Sequence, residues 1–148
     1  MEKIPFINYG EPGISAEILE KLQDNIEKAI DGEGWNSLEL TDSFKPYNEN
    51  NSNKPIYKKA GNVVSVFGAV SPSAEIKGSI TKVVICTLPT GFRPVKQIVK
   101  LCQGTGKNFW TCTVDTNGEI SFSRYGTTEF KTADTSTWLP FDVSFFVS

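Results

Sequence analysis

The sequence predicts a mostly β protein, an antiparallel β-sandwich or jelly roll preceded by one short N-terminal α-helix. Before Trp35 the apolar residues recur at helical spacing, and from Trp35 onward they alternate with polar residues as in strands. Asn117-Gly118 lies between two strand-like segments and is a strong hairpin signal, because this pair adopts positive φ angles readily. The chain is therefore predicted to comprise an N-terminal segment with an oligomerisation helix, residues 1–34, and a β-sandwich head domain, residues 35–148.

The helix is predicted to begin at Ile14-Ser15 and to run to Ile30. Ser15 suits the N-cap position, and Glu17 lies in the first turn, where the helix dipole stabilises an anion. The candidate oligomerisation residues lie on one apolar face and include a 3-4-3 coiled-coil spacing: Ile18, Leu19, Leu22, Ile26 and Ala29. A helix this short is marginal in isolation, so this face must be buried. It packs either on its own chain or against other copies in a short coiled coil, and the narrow seam favours the coiled coil.

Eight segments after Trp35 are rich in Val, Ile, Thr, Phe and Trp, which predicts β-strands. They comprise residues 37–40, 56–59, 63–70, 82–88, 97–101, 109–114, 119–124 and 138–147. The polar, Asn-rich stretch 44–55 is predicted to be a surface loop, and so is the stretch 71–79. Many short strands with turn residues between them indicate a sandwich.

The composition excludes several classes of function. The 148 residues carry a net charge of −2, so the chain lacks the basic excess with which nucleic-acid-binding proteins displace counterions. It has no histidine, which removes the commonest general base and the commonest zinc ligand. Its three cysteines are too few for a disulfide framework and are expected to be reduced and partly buried. We expect no nucleic-acid partner, no secretory signal and no membrane insertion.

Catalytic motifs are not expected. Serine or cysteine nucleophiles activated by histidine are impossible in a chain without histidine. The loop 103–108 differs from a phosphate-binding loop, because Leu101 stands where the motif needs Gly and Asn108 follows Lys107. Paired carboxylates could hydrolyse a glycoside, but the sequence brings no two of them together. We expect no enzyme activity, no cofactor and no metal site, and a polysaccharide-degrading glycosidase is the less favoured alternative.

Aromatic residues near strand ends are the candidate ligand-binding groups. An exposed aromatic ring stacks on the C–H face of a sugar, while neighbouring polar side chains bond its hydroxyls. The predicted saccharide-binding set is Trp110, Asp115, Arg124 and Tyr125. For the two rings, a place in the core or in a subunit interface stays open as the alternative.

Several phrases of the sequence resemble tail proteins of phages that infect Gram-positive bacteria. Residues 4–17 (IPFINYGEPGISAE) resemble a leader that opens a short helix before a distal domain. Residues 57–70 (YKKAGNVVSVFGAV) and 87–94 (TLPTGFRP), followed by NG-x-I and a terminal WL-x-x-D-x-SF phrase, resemble the C-terminal head of tail fibres and receptor-binding proteins. These matches together span nearly the whole chain.

The resemblance implies a homotrimeric receptor-binding or adhesion protein at the tail tip of a virion, produced in the bacterial host cytoplasm. It implies that the helices bundle toward the virion and attach to other tail or baseplate proteins through the N-terminal part. It further implies that the heads bind a host cell-wall polysaccharide or teichoic acid without cleaving it. A structural baseplate or fibre connector that binds other virion proteins is the second interpretation.

Overall fold

The computed structural model describes residues 16–31, 34–49 and 51–147, which form one helix and nine strands in two antiparallel sheets. The helix α1 comprises Ala16–Asp31. The strands are β1 (Asn36–Ser37), β2 (Phe44–Pro46), β3 (Ile56–Ala60), β4 (Val63–Pro72), β5 (Val83–Thr87), β6 (Ile98–Gln103), β7 (Phe109–Val114), β8 (Glu119–Gly126) and β9 (Leu139–Phe146). The predicted mostly β architecture with a short N-terminal helix is confirmed.

Helix α1 lies close to the predicted position. The proposed N-cap Ser15 is outside the described residues, and so are the side chains of Ile26 and Ala29. Leu19 and Leu22 are 38 % and 39 % exposed, so the core of the chain does not bury them. No helix within the described part of the chain is long and apolar enough to cross a membrane.

The first sheet is organised around the long strand β4. Strands β3 and β2 pair with successive parts of one edge of β4, and β9 pairs along the other edge from Val63↔Phe146 to Val70↔Leu139. The two-residue strand β1 extends this sheet beyond β3. Strand β9 therefore forms one border of the first sheet.

The second sheet has the order β5-β8-β7-β6 and contains the predicted hairpin. The amide of Asp115 donates to the carbonyl oxygen of Glu119 at 2.9 Å, and the amide of Gly118 donates to that of Asp115 at 2.9 Å. Gly118 has a φ of +90°, which glycine adopts without steric cost. Strand β6 forms a border of this sheet, as β9 does of the first.

The two sheets enclose a common apolar core. Alternating residues of β7 point inward, so Trp110, Cys112 and Val114 are all buried. The Trp110 ring stacks on Phe122 with 5.7 Å between centroids and meets Phe141 of the first sheet edge-on at 6.2 Å. The three cysteines are free thiols in this core.

Two predicted segments differ in the structure. The stretch 44–55, predicted as a loop, contains β2, because the buried Phe44 ring packs 6.0 Å from Phe122 and its backbone pairs with the end of β4. The predicted strand 37–40 shortens to β1, because Leu40 forms a bridge with Cys86 of the second sheet. The chain thus crosses from one sheet to the other just after β1.

Candidate ligand-binding cleft

The structure places Trp110 and Tyr125 in the core, so the prediction that their rings face a ligand is wrong. Trp110 is 0 % exposed, and its indole Nε1 donates to the carbonyl oxygen of Gln103 at 3.1 Å. Tyr125 is 3 % exposed, and its hydroxyl accepts a bond from Asn108 Nδ2 at 3.2 Å. Both rings point between the sheets, where a saccharide on the surface does not reach them.

Asp115 and Arg124 are surface groups at opposite ends of β8. The Asp115 carboxylate accepts a bond from Gln97 Nε2 at 2.6 Å and pairs with Lys82 Nζ at 3.6 Å. Arg124 is exposed and has a φ of 56°, at the register shift between β7 and β8. Because Asp115 sits beside Glu119, about five strand residues, or ~17 Å, separate the two side chains. The four predicted residues do not form one site.

A cleft of about 320 Å³ lies where the chain crosses between the sheets. One wall is the segment after β1 together with β3, and the other is the end of β5 with the loop that follows it. Its lining residues are Ser37, Leu38, Glu39, Tyr57, Thr87, Leu88, Pro89 and Arg93. The cleft combines buried apolar side chains with hydroxyls, one carboxylate and one guanidinium.

Arg93 is held in a fixed position in this cleft. Its Nε donates to the carbonyl oxygen of Leu88 at 2.9 Å, and the side chain is half-buried. It packs against Gly118, where a Cβ atom would come within 2.7 Å of Arg93 Nε. The amide of Leu88 donates to the carbonyl oxygen of Gly118 at 2.8 Å, which ties the loop to the hairpin. The β7–β8 hairpin therefore supports the guanidinium from behind.

The Tyr57 ring forms part of the wall opposite. It is half-buried and meets Phe92 edge-on, with centroids 5.1 Å apart. Lys59 Nζ lies 5.4 Å from the centroid of the same Phe92 ring and donates to the carbonyl oxygen of Gly91 at 3.1 Å. These contacts fix the loop against β3 beside the cleft.

The sequence reasoning missed Glu39, Tyr57 and Arg93 as functional candidates. The phrase TLPTGFRP entered the sequence analysis only as part of a family resemblance, which assigned no role to its arginine. The available signal was Arg93, which lies between Phe92 and Pro94 in a short loop. An arginine that only faces water does not require such conformationally restricted neighbours. The approach of Glu39 to this loop depends on the crossing after β1, which no local pattern indicates.

A second surface feature is the seam between the border strands β6 and β9, a groove of about 270 Å³ that includes Leu101 and Pro140. Lys100 Nζ donates to the carbonyl oxygen of Asp142, and the amide of Val95 donates to that of Phe146 at 3.3 Å. Strongly exposed apolar side chains occur on the two border strands and just before β6, and Leu101 among them lines the groove: Val95 at 56 %, Val99 at 62 %, Leu101 at 68 % and Phe146 at 61 %. The β6–β9 seam is thus flanked by exposed apolar side chains of both border strands.

No family model and no curated protein matches this sequence. Among solved structures, the crystal structure of the receptor binding protein (gp15) of Listeria phage PSA is similar, with a TM-score of 0.51 and 15 % sequence identity. The similarity covers 90 % of this chain and 82 % of that chain. The predicted resemblance to a receptor-binding protein of a Gram-positive phage is confirmed as a shared fold.

Proposed function

We propose that this chain is a phage tail receptor-binding protein that attaches a virion to a saccharide on the host cell surface. The observation that carries the proposal is the cleft, which contains a fixed Arg93, the Glu39 carboxylate and the Tyr57 ring. Proteins bind sugars with such groups, because rings stack on C–H groups and charged side chains bond the hydroxyls. The fold shared with a phage receptor-binding protein supports the same conclusion. Wall polysaccharide or teichoic acid is the proposed class of receptor.

The cleft favours binding over cleavage. Glycoside hydrolysis ordinarily requires two carboxyl groups on either side of the scissile bond. Among the described residues that line the cleft, Glu39 is the one carboxylate. Adhesion without bond cleavage is the activity proposed for this site, and many weak sites on one virion then act together through avidity.

We propose a homotrimer in which residues 1–34 attach to other tail or baseplate proteins and residues 35–148 form the head. The exposed Leu19 and Leu22 of α1 support a short coiled coil. The β6–β9 seam supports contact with a second copy, because Leu101 in its groove and Phe146 at the end of β9 are strongly exposed apolar side chains.

Adsorption to purified cell walls tests the proposed function. Fluorescently labelled full chain is mixed with walls from a panel of Gram-positive bacteria, untreated, protease-treated or oxidised with periodate, which cleaves vicinal diols. We expect the chain to bind the walls of at least one strain. This binding should survive protease treatment of the walls and be abolished by periodate treatment, and the chain should release no reducing sugars. Binding that is lost after protease and kept after periodate contradicts a saccharide receptor and favours a protein one.

A further inference from the structure

The Arg93 guanidinium has bonding capacity that the described chain does not use. An arginine side chain carries five N–H donors, and the Leu88 carbonyl oxygen takes the one on Nε. Within residues 16–31, 34–49 and 51–147, the Nη donors have neither a hydrogen-bond partner nor an ion-pair partner. A half-buried guanidinium that is held at one nitrogen and open at the others is arranged for an external acceptor.

The charge of the cleft selects among acceptors. Glu39 and Arg93 both line the cleft, and no ion pair joins them in the structure. One positive and one negative group leave the lining neutral, and the carboxylate repels a phosphate or another carboxylate. A neutral ligand with adjacent hydroxyls satisfies both groups, because hydroxyls donate to the carboxylate and accept from the guanidinium.

The remaining lining suits a sugar ring. Pro89 is exposed and the Tyr57 ring is half-buried, so these two side chains offer apolar surface to the C–H groups of a ligand. The hydroxyl residues Ser37, Tyr57 and Thr87 also line it and both donate and accept. Its volume of about 320 Å³ is at the lower end for small-molecule sites, which fits a single sugar residue of a longer chain.

We infer that the cleft binds one neutral sugar residue of the host polysaccharide, with Arg93 donating to its hydroxyl oxygens and Glu39 accepting from its hydroxyl groups. This inference rests on the proposed function and narrows it, because a phosphate-bearing polymer backbone is excluded as the group in the cleft. Gly118 and Leu88 are positioning residues for Arg93.

The test measures wall adsorption of Glu39→Gln and Arg93→Gln, with Glu75→Gln, an exposed site outside the cleft lining, as the matched control. A wall hydrolysate, separated by anion exchange into neutral and phosphate-bearing fractions, serves as competitor. We expect each cleft variant to weaken adsorption at least tenfold with unchanged thermal unfolding, the control to match the wild type, and the neutral fraction to compete.

Three groups of outcomes separate the hypotheses. Adsorption by both cleft variants at wild-type strength overturns the assignment of the cleft and leaves the proposed function standing. Competition by the phosphate-bearing fraction alone, by neither fraction, or stronger adsorption of Glu39→Gln overturns the neutral-sugar assignment. Failure of the wild type itself to adsorb to any wall contradicts the proposed function.

Discussion

At the scale of single residues, burial separates the aromatic rings that stabilise the head from those that face solvent. Trp110 is fully enclosed between Phe122 and Phe141, whereas Trp35 is 48 % exposed and contacts Phe67 edge-on at 4.7 Å. The two tryptophans therefore differ in how much stability is lost when each is removed.

Truncation of Trp110 should destabilise the head severely. We expect Trp110→Ala to lower the free energy of unfolding by about 3–5 kcal/mol, because it leaves a cavity and removes the indole bond to Gln103. Trp35→Ala should cost about 1 kcal/mol or less, since its ring is half in water. Urea unfolding of both variants measures the difference, and equal losses contradict the assignment of Trp110 to the core.

Cys86 should make the stability of the head fall at alkaline pH. Burial raises the pKa of its thiol from 9.0 to about 12. Below pH 9 the thiol is neutral in both states, whereas above pH 9 it ionises in the unfolded chain first. Stability is therefore lost as pH rises toward 12, at up to about 1.4 kcal/mol per pH unit. Urea unfolding at pH 8, 9 and 10 should show this additional slope in the wild type and not in Cys86→Ala; equal slopes contradict it.

The predicted site residues separate what the sequence determines at this scale from what it does not. Asp115 lies in the turn between β7 and β8, because Asp-Thr-Asn-Gly is a local signal. The inward direction of Trp110 also follows from a local signal, because Trp110, Cys112 and Val114 alternate with Thr111 and Thr113 along β7; the prediction of a ligand-facing ring did not use this alternation. Arg93 and Glu39 line the same cleft although they are more than fifty residues apart in the chain, and no single segment encodes this arrangement.

At the scale of elements, the β7–β8 hairpin has two roles. Asn117-Gly118 makes the tight turn, as the sequence predicts, and the missing side chain of Gly118 also leaves room for Arg93 and for the Leu88 carbonyl. The turn therefore joins the stability of the second sheet to the shape of the cleft.

Alanine at Gly118 should impair both the fold and the cleft. Its φ of +90° and a Cβ atom 2.6 Å from the Leu88 carbonyl oxygen predict a loss of about 1–3 kcal/mol of stability and a displaced Arg93. Gly106→Ala is the matched control, because Gly106 has a φ of +63° with open space around it. We expect Gly118→Ala to weaken wall adsorption and Gly106→Ala to preserve it. Equal adsorption by both variants argues against support of Arg93 by the hairpin.

Most elements were predictable because their signals are local. The helix and seven of the strands follow from periodicity and β-propensity, since each has at least five residues and therefore shows a pattern. Strand β2 was missed because it has three residues, ends in proline and depends on β4 for its pairing. The division at residue 34 stays a prediction. The coiled coil also stays a prediction, because it concerns contacts between chains.

At the scale of the whole molecule, the described residues include two exposed apolar surfaces. One is the face of α1 that includes Leu19 and Leu22, and the other is the β6–β9 seam. Open strand edges with apolar side chains promote association, and natural proteins usually block them with charge or cover them. Lys100 donates to the carbonyl oxygen of Asp142 and therefore does not project from the edge as a blocking charge. We propose that a neighbouring copy of the chain covers this edge.

The mass in solution tests that assembly. We expect light scattering to give about 49 kDa, three times the 16.3 kDa chain. Leu101→Ser should shift the protein toward monomer, because it removes the most exposed apolar side chain of the β6–β9 seam. Phe130→Ser is the matched control, since Phe130 is 60 % exposed outside the seam. A monomeric wild type contradicts the trimer, and equal masses for the two variants, with the wild type trimeric, assign the interface to another surface.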